Sequence, residues 1–362
     1  MARDLILRLF PPPDYLRLPA AGLDISDRAI KFCELKTERG KLSLGKFGEE
    51  EIPEGVVTDG VISDPVKLSE ILLSVRGKMN NPFFYVSLPE EKAYIAEMPV
   101  PTGSNVDLRE ALSLHLEEQI PLDPKDAIFD FQTVHTPESS GTNDYIVAVS
   151  AVESGLALSY LQALGKASII PLAFELESQA LARSIVPDWQ EGVVMVVDIG
   201  REQSNVSIIS RNIVRLTSSI SVGGNAFARA IKEDLKVTDN EAVKLKEEEG
   251  LFRTGSERSP FFSIVRVATV LRDEIYQRLS YWNTGRSRSN LKDSVAEVII
   301  CGGNANVPGL MEYLTSGIDV PVSIANPWVN ILSFEDTIPE LTARESLKYC
   351  TALGLALRVK YL

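Results

Sequence analysis

Val193-Val-Met-Val-Val-Asp198-Ile-Gly200 is an unbroken apolar run that ends on an aspartate and a glycine. A run of this kind, bounded by turn residues, reads as a strand buried on both faces. Ser204-Asn-Val-Ser-Ile-Ile209 follows, then an Arg211-Asn212 turn and Ile213-Val-Arg-Leu216, which predicts strand, turn, strand, turn, strand. The same order occurs near the N-terminus. Ala21-Gly-Leu-Asp-Ile25 leads through Ser26-Asp27-Arg28 into Ala29-Ile-Lys-Phe-Cys-Glu-Leu35, and Thr37-Glu-Arg-Gly40 turns into a third strand. The repeat puts Asp24 and Asp198 each at the end of an apolar strand and the start of a hairpin turn. Such a turn exposes consecutive backbone N–H groups to phosphate oxygens. The carboxylate beside them suits Mg²⁺, directly or through water. Two such hairpins, one from each half, predict an α/β nucleotide-binding protein with a shared phosphate site.

Outward from the repeat, Pro65 opens a helix through about Gly77, with Leu68, Ile71, Leu72 and Val75 at helical spacing. Phe83 to Leu88 returns to the sheet. Between about Tyr94 and Lys166 the rhythm changes to β-α-β-β-α. Strands are expected at Tyr94–Met98, Ile128–Phe131 and Tyr145–Val149, with helices at Leu108–Ile120 and Glu153–Leu164. Ser104-Asn-Val-Asp107 has the spacing of a capping box before the first helix, and the polar loop Thr136 to Asp144 reads as mobile. This block can bury a face of its own and is expected to be an inserted subdomain. In the second half, helices are expected over Gly224–Glu249, Ser263–Trp282 and Ala343–Leu357. Ser221-Val-Gly-Gly224 and Ile299-Ile-Cys-Gly302-Gly303-Asn304 place paired glycines at strand-to-helix turns, where the backbone can approach a ligand closely.

Composition narrows the function. A net charge of −13 argues against sequence-independent DNA or RNA binding, which depends on Lys and Arg at phosphates. Cys33, Cys301 and Cys350 are widely spaced in apolar runs and read as core residues of a reducing compartment. No window approaches the ~20 apolar residues of a membrane span. Met1 to Phe10 is too short and interrupted for a signal peptide, so a cytoplasmic protein is expected. His115 and His135 lack further ligands at zinc spacing, and no Ser-His-Asp or Cys-His arrangement is credible. The run Lys244 to Glu249 reads as a solvated helix face.

These segments resemble the actin-like ATPase superfamily. Asp24-Ile-Ser-Asp-Arg-Ala-Ile-Lys31 is similar to its first phosphate loop, Asp198-Ile-Gly-Arg-Glu-Gln-Ser-Asn205 to its second, and Gly302-Gly303 to its adenosine loop. A narrower resemblance, to the PilM family of type IV pilus assembly proteins, runs across nearly the whole chain. It includes Ile52-Pro-Glu-Gly-Val-Val, Gly60-Val-Ile-Ser-Asp-Pro65, Glu118-Gln-Ile-Pro-Leu-Asp123, Ile220-Ser-Val-Gly-Gly-Asn225, Ala325-Asn-Pro327 and Leu341 to Ala356.

The resemblance implies a two-halved actin-like fold, a duplicated meander sheet plus helices, with an inserted 1C-type subdomain. Its expected divisions are a tail over 1–20, a first half (1A) over 21–92 and the insert over 93–166. A return to 1A with an interdomain helix covers 167–190, the second half (2A/2B) 191–338, and a C-terminal helix 339–362. It also implies ATP and Mg²⁺ as ligands, with hydrolysis weak or absent. Asp24 and Asp198 would attend Mg²⁺ through water. Ser26, Asp27, Gly200, Ser204 and Asn205 would approach phosphates, with Lys31 in the first hairpin. Gly223, Gly224, Gly302, Gly303, Asn304 and Lys246 would border the nucleoside. Glu175 and Glu177, in a helix that the family places between the halves, are candidates to orient an attacking water.

The implied role is an assembly protein, peripheral at the inner membrane, that docks the cytoplasmic tail of a PilN-like membrane protein and joins other pilus platform proteins. The docking surface is expected around Pro65 to Gly77 and neighbouring strands. A small-molecule kinase of the same superfamily is the alternative, but it needs a base and a substrate pocket that the sequence does not signal. A cell-division filament protein is disfavoured because the chain stops at Val359-Lys-Tyr-Leu362, directly after the last expected helix.

The sequence departs from the family at Ser26 and Asn304, where glycine is usual, and at Arg201 and Glu202, where small residues are. A carboxylate about 5 Å from a phosphate, at an effective dielectric of about 20, opposes binding by roughly 3 kcal/mol. Arg201 or Mg²⁺ offsets this if either lies close, and the effect disappears if Glu202 points outward.

Overall fold

The computed structural model describes residues 19–38, 40–101, 108–123, 125–136, 144–252, 259–286 and 294–361. The tail ahead of residue 19, the expected cap at Ser104 to Asp107, the centre of the 136–144 loop and the His115 side chain lie outside the described residues.

Two five-stranded sheets share one strand order. The first runs β3 (Lys41–Glu51), β2 (Ala29–Glu38), β1 (Ala21–Ile25), β6 (Phe83–Leu88), β10 (Ile170–Leu176); the second runs β13 (Ile213–Ile220), β12 (Ser204–Ser210), β11 (Val193–Ile199), β14 (Val295–Cys301), β15 (Val322–Ile324). In each, an antiparallel meander supplies the first three strands and parallel neighbours complete the sheet. β1 is buried at every residue and β11 at all but Asp198, as expected of central strands covered on both faces. Antiparallel register pairs Asp24 with Lys31 and Asp198 with Asn205, so equivalent positions carry the repeat.

The insert is a separate three-stranded antiparallel sheet, in the order β7 (Ala93–Pro101), β9 (Asp144–Glu153), β8 (Ala127–His135). Met98, Val100, Val147 and Val149 bury one face of it against Leu112 and Leu116 of a helix at Leu108–Gln119. A short antiparallel pair, β4 (Val57–Thr58) with β5 (Val61–Ile62), precedes a helix at Pro65–Met79, α1 in chain order; the insert's helix is α2. The remaining helices are α3 (Ser154–Lys166), α4 (Glu177–Ile185), α5 (Gly224–Leu235), α6 (Asp239–Glu248), α7 (Phe261–Arg286), α8 (Leu310–Thr315), α9 (Ala343–Ser346) and α10 (Cys350–Ala356).

Three expectations are corrected. The helix expected over Gly224–Glu249 is broken into α5 and α6: Lys236 takes a left-handed φ of 55° and Thr238 starts a new helix through a capping box with Glu241. The expected final helix is interrupted by a 3₁₀ turn at Leu347–Tyr349. Glu175 lies on strand β10, not in a helix, whereas Glu177 is the first residue of α4.

α10 returns to the first half and packs on β1, β2 and α4. Close approach requires glycine at two places. A Cβ on Gly22 of β1 would lie 2.0 Å from Ala352 O, and one on Gly354 of α10 would lie 1.9 Å from Ala180 O of α4. Arg183 of α4 fixes the junction, donating at 2.8 and 2.6 Å to the buried Glu175 carboxylate and at 2.7 Å to Gly354 O. Arg358 completes the cluster with its own ion pair to Glu175.

Gly354→Val is expected to lower stability by about 3 kcal/mol, because the added atoms meet backbone that cannot yield. Gly77→Ala in α1, where a Cβ would meet nothing within 4 Å, should instead raise it by up to about 1 kcal/mol. Urea unfolding of both variants checks the opposite signs.

Candidate functional site

The hairpins that follow Asp24 and Asp198 face each other between the two sheets. Asp24 is buried and accepts a hydrogen bond from Ser87 Oγ at 3.1 Å, while Ser87 Oγ itself accepts from Ile25 N at 3.0 Å. In the turn, Ser26 donates to Ala29 O at 3.0 Å through both its backbone N–H and its hydroxyl. The Asp27 carboxylate accepts from Asp59 N at 2.9 Å and Gly60 N at 3.0 Å. That carboxylate therefore orders the β4–β5 turn, and only the Asp27 backbone remains for a ligand.

On the second half, Gly302 is where close approach is sharpest. Its φ is +88°, and a Cβ there would lie 2.2 Å from Asp198 Oδ1. The second hairpin is tied to the start of α5, since Gly200 O accepts from Gly224 N at 2.9 Å and Arg201 O from Asn225 N at 2.8 Å. Ser204 donates its hydroxyl to Val222 O at 2.6 Å. Asn304 bridges the second hairpin and α6: its Nδ2 donates to Gly200 O at 2.8 Å, and its Oδ1 accepts from Lys246 Nζ at 2.9 Å. Its amide lies against Gly224, where a Cβ would fall 2.1 Å from Asn304 Oδ1. Lys246 is buried, so desolvation pulls its pKa down, and it is no solvated face residue. Gly223 and Gly303 flank these contacts at the starts of α5 and of the 3₁₀ turn Gly303–Asn306.

The structure separates the two candidate glutamates. Glu175 is neutralised by Arg183 and Arg358 and is structural. Glu177 opens α4 inside the cleft, where Asn205 Nδ2 donates to it at 3.5 Å. Burial, and after it the charges of Asp24, Glu91, Glu90 and Asp198, hold its pKa well above the usual carboxylate range. Asp24 is raised by burial against the opposing pull of Lys31 and Ser87, and Asp198 is pushed up to about 6 by burial and by Asp24. Among the described residues no three His, Cys, Asp or Glu side chains come together to hold a metal directly. An ion among these carboxylates would therefore keep waters between itself and the protein, as Mg²⁺ prefers. The donor set, oxygen-only and short of positive charge, fits that ion.

Sequence reasoning missed Ser87, Glu90, Glu91, Arg28 and Asn225. Glu90 is buried and caps α4, accepting from Ser178 N and Ser178 Oγ, both at 3.0 Å. A polar residue inside the apolar run Phe83–Leu88, and paired carboxylates directly after it, were the available signals. Glu202 points neither at a phosphate position unopposed nor outward to solvent alone. Arg28 Nε of the opposite hairpin donates to Glu202 Oε1 at 3.0 Å, and Asn225 Nδ2 donates to the same oxygen at 2.8 Å. Arg28, rather than Arg201, offsets its charge. A surface groove of about 500 Å³ lined by Lys41, Leu42, Ile331 and Val359 lies elsewhere and contains none of these carboxylates.

Comparison with known proteins gives one family match, to the model described as type IV pilus assembly protein PilM, over residues 22–360. Among solved structures, the chain is similar to one titled as the PilM-PilN type IV pilus biogenesis complex, with TM-score 0.77, 21% identity, and 95% of this chain and 99% of that chain covered. It is similar also to MreB 5 of Spiroplasma citri bound to AMPPNP (TM-score 0.55, 14% identity, 97% of each chain). A third is the ethanolamine utilization protein EutJ from Carboxydothermus hydrogenoformans (0.51, 16%, 98% and 94%).

The raised Asp198 pKa carries a sign. Between the ordinary 3.8 and about 6 the folded state holds a proton that the unfolded chain has released, so stability falls as pH rises through that window. Without nucleotide or divalent ion, Asp198→Asn should be more stable than the parent near neutral pH by on the order of 1–3 kcal/mol. The gap should close below about pH 4, and thermal unfolding across pH in EDTA measures it.

Proposed function

The chain belongs to the family of the type IV pilus assembly protein PilM, and from that premise we propose that it binds a nucleotide between its halves and docks a PilN-like membrane protein. Its fold is the two-halved actin-like α/β fold of the similar structures. The observation that carries the nucleotide reading is the pair of facing hairpins, each led by an aspartate, Asp24 buried and Asp198 half-buried, at an equivalent position of an equivalent sheet. The same fold in MreB 5, solved with AMPPNP, supports it.

In this reading Asp24 and Asp198 attend a hydrated Mg²⁺, which supplies positive charge to the carboxylates and the polyphosphate. Ser26, Asp27, Gly200, Ser204 and Asn205 border the phosphates. The side chains of Ser26, Asp27 and Ser204 are all engaged within the protein, so Asp27 acts through its backbone. Lys31 balances Asp24. Gly223, Gly224, Gly302, Gly303, Asn304 and Lys246 border the nucleoside. Glu177, held by Asn205, is the residue placed to orient a water, and hydrolysis is expected to be slow.

No helix among the described residues is long and apolar enough to cross a membrane. The proposed place is the cytoplasmic face of the inner membrane, reached through PilN-like and other platform proteins. For the partner's tail, α1 and α3 pack together and expose Val66 and Leu73 on one, Leu158 and Leu161 on the other. Apolar side chains left in water on adjoining helices are a reasonable docking face for a short peptide.

Calorimetry should show saturable Mg-ATP binding that Asp198→Ala abolishes; a folded parent protein with no binding heat would defeat the nucleotide reading. A peptide matching the cytoplasmic tail of a PilN-like partner should bind at about micromolar strength, ~8 kcal/mol of binding free energy. Leu73→Glu should weaken it at least tenfold, and the absence of any heat with the parent protein would remove the docking idea.

A further inference from the structure

Arg28 closes the first hairpin turn, directly before β2, and Glu202 lies in the second turn, one in each half of the molecule. Their 3.0 Å ion pair joins the turns across the space where a polyphosphate would lie. Glu202 is held from its own side by Asn225 Nδ2 at 2.8 Å, next to the start of α5. Arg28 has one other carboxylate, Glu54 at 3.4 Å, whose side chain is 84% exposed and therefore well screened by water. The guanidinium is thus committed chiefly to Glu202.

We propose that Arg28 and Glu202 form a latch that closes the nucleotide-free cleft, and that the terminal phosphate of a nucleoside triphosphate takes Arg28 from Glu202. The proposal rests on the nucleotide site described above. In that site the nucleoside end lies on the second half, at Gly224, Gly302 and Lys246. The phosphates extend from there toward the first hairpin, so the group that reaches Arg28 is the one farthest from the nucleoside.

The exchange follows from the chemistry of the three groups. A guanidinium binds phosphate through the same paired, charge-assisted hydrogen bonds that it offers a carboxylate, and the terminal phosphate carries more charge. Glu202 cannot follow Arg28, because Asn225 holds it on the second half. With the latch made, Glu202 lies where an incoming phosphate must approach, and its charge opposes entry. A diphosphate, which ends short of Arg28, gains little from breaking the pair. The latch therefore makes the cleft selective for the triphosphate and couples its arrival to release of one half from the other.

The test uses the full chain with Glu202→Gln, Arg28→Gln and the double variant. ATP and ADP affinities are measured by calorimetry. The separation of the halves is measured by pulsed electron resonance between labels at Thr58→Cys and Arg229→Cys, both exposed positions. The native cysteines Cys33, Cys301 and Cys350 are buried and should stay unlabelled.

Glu202→Gln should bind ATP about tenfold more tightly, within the ordinary range of coupling between sites, with ADP unchanged. Arg28→Gln should weaken ATP alone, and the double variant should lose the gain of Glu202→Gln. Without nucleotide, either single variant should broaden the distance distribution. ATP and ADP responding equally, or Glu202→Gln changing neither affinity nor distance, would overturn the latch while leaving the nucleotide site intact. Failure of every variant to bind either nucleotide would overturn the site itself, and with it the exchange at Arg28.

Discussion

Asp24, buried, and Asp198, half-buried, are like charges at the facing ends of two equivalent strands, and much of the cleft is built around them. Burial alone raises a carboxylate's pKa, and a second carboxylate nearby raises it further. Asp198 shows both effects, and Glu177 shows them more strongly because it also feels Glu90 and Glu91. Lys31 and Ser87 on Asp24, and Asn205 on Glu177, relieve only part of this cost. A cluster so placed holds negative charge ready for a cation at some expense in stability, which is the usual balance at a functional site.

That arrangement depends on backbone contacts some distance from it. α4 carries Glu177 into the cleft at its N-terminus, and its first turn is held against α10 at Ala180, where Gly354 leaves no room for a Cβ, while α10 meets β1 as closely at Gly22. Glu175, neutralised by Arg183 and Arg358, ties β10, α4 and the C-terminal segment into one unit. Breaking a buried pair of this kind is costly because one charge is then left unpaired. The position of Glu177 is thus set by packing that has no chemistry of its own.

The departures from the family pattern have local compensations. Asn304, in place of a glycine, spends its amide on Gly200 O and the Lys246 ammonium, so the added side chain stitches the second hairpin to α6. Glu202 acquires Arg28 from the opposite hairpin and Asn225 from its own side. Both substitutions bring their own partners, and each partner lies on a different element. Single-residue comparison with a motif reads such positions as defects, because the partners are distant in sequence.

The duplicated strand order, the strands and first helix of the insert and the aspartates at the strand ends were legible in the sequence, whereas the helix expected to complete the insert, α3, buries Ala157, Tyr160, Ala163 and Leu164 in the core of the first half. Hydrophobic runs and turn residues are local signals whose meaning does not depend on the rest of the chain. The break at Lys236 between α5 and α6 was legible in principle, since Thr238 and Glu241 form a capping box, but the continuing helical spacing obscured it. Glu175 and Glu177 could not be told apart by pattern. They are two residues apart on either side of a strand-to-helix junction, and only the fold sends one toward Arg183 and Arg358 and the other into the cleft. The sequence by itself determined the two halves and their strand-end carboxylates, because burial and turn formation are properties of short segments. Tertiary structure alone decided which charges meet, because Arg28 and Glu202 are 174 positions apart and become neighbours only when both sheets are built.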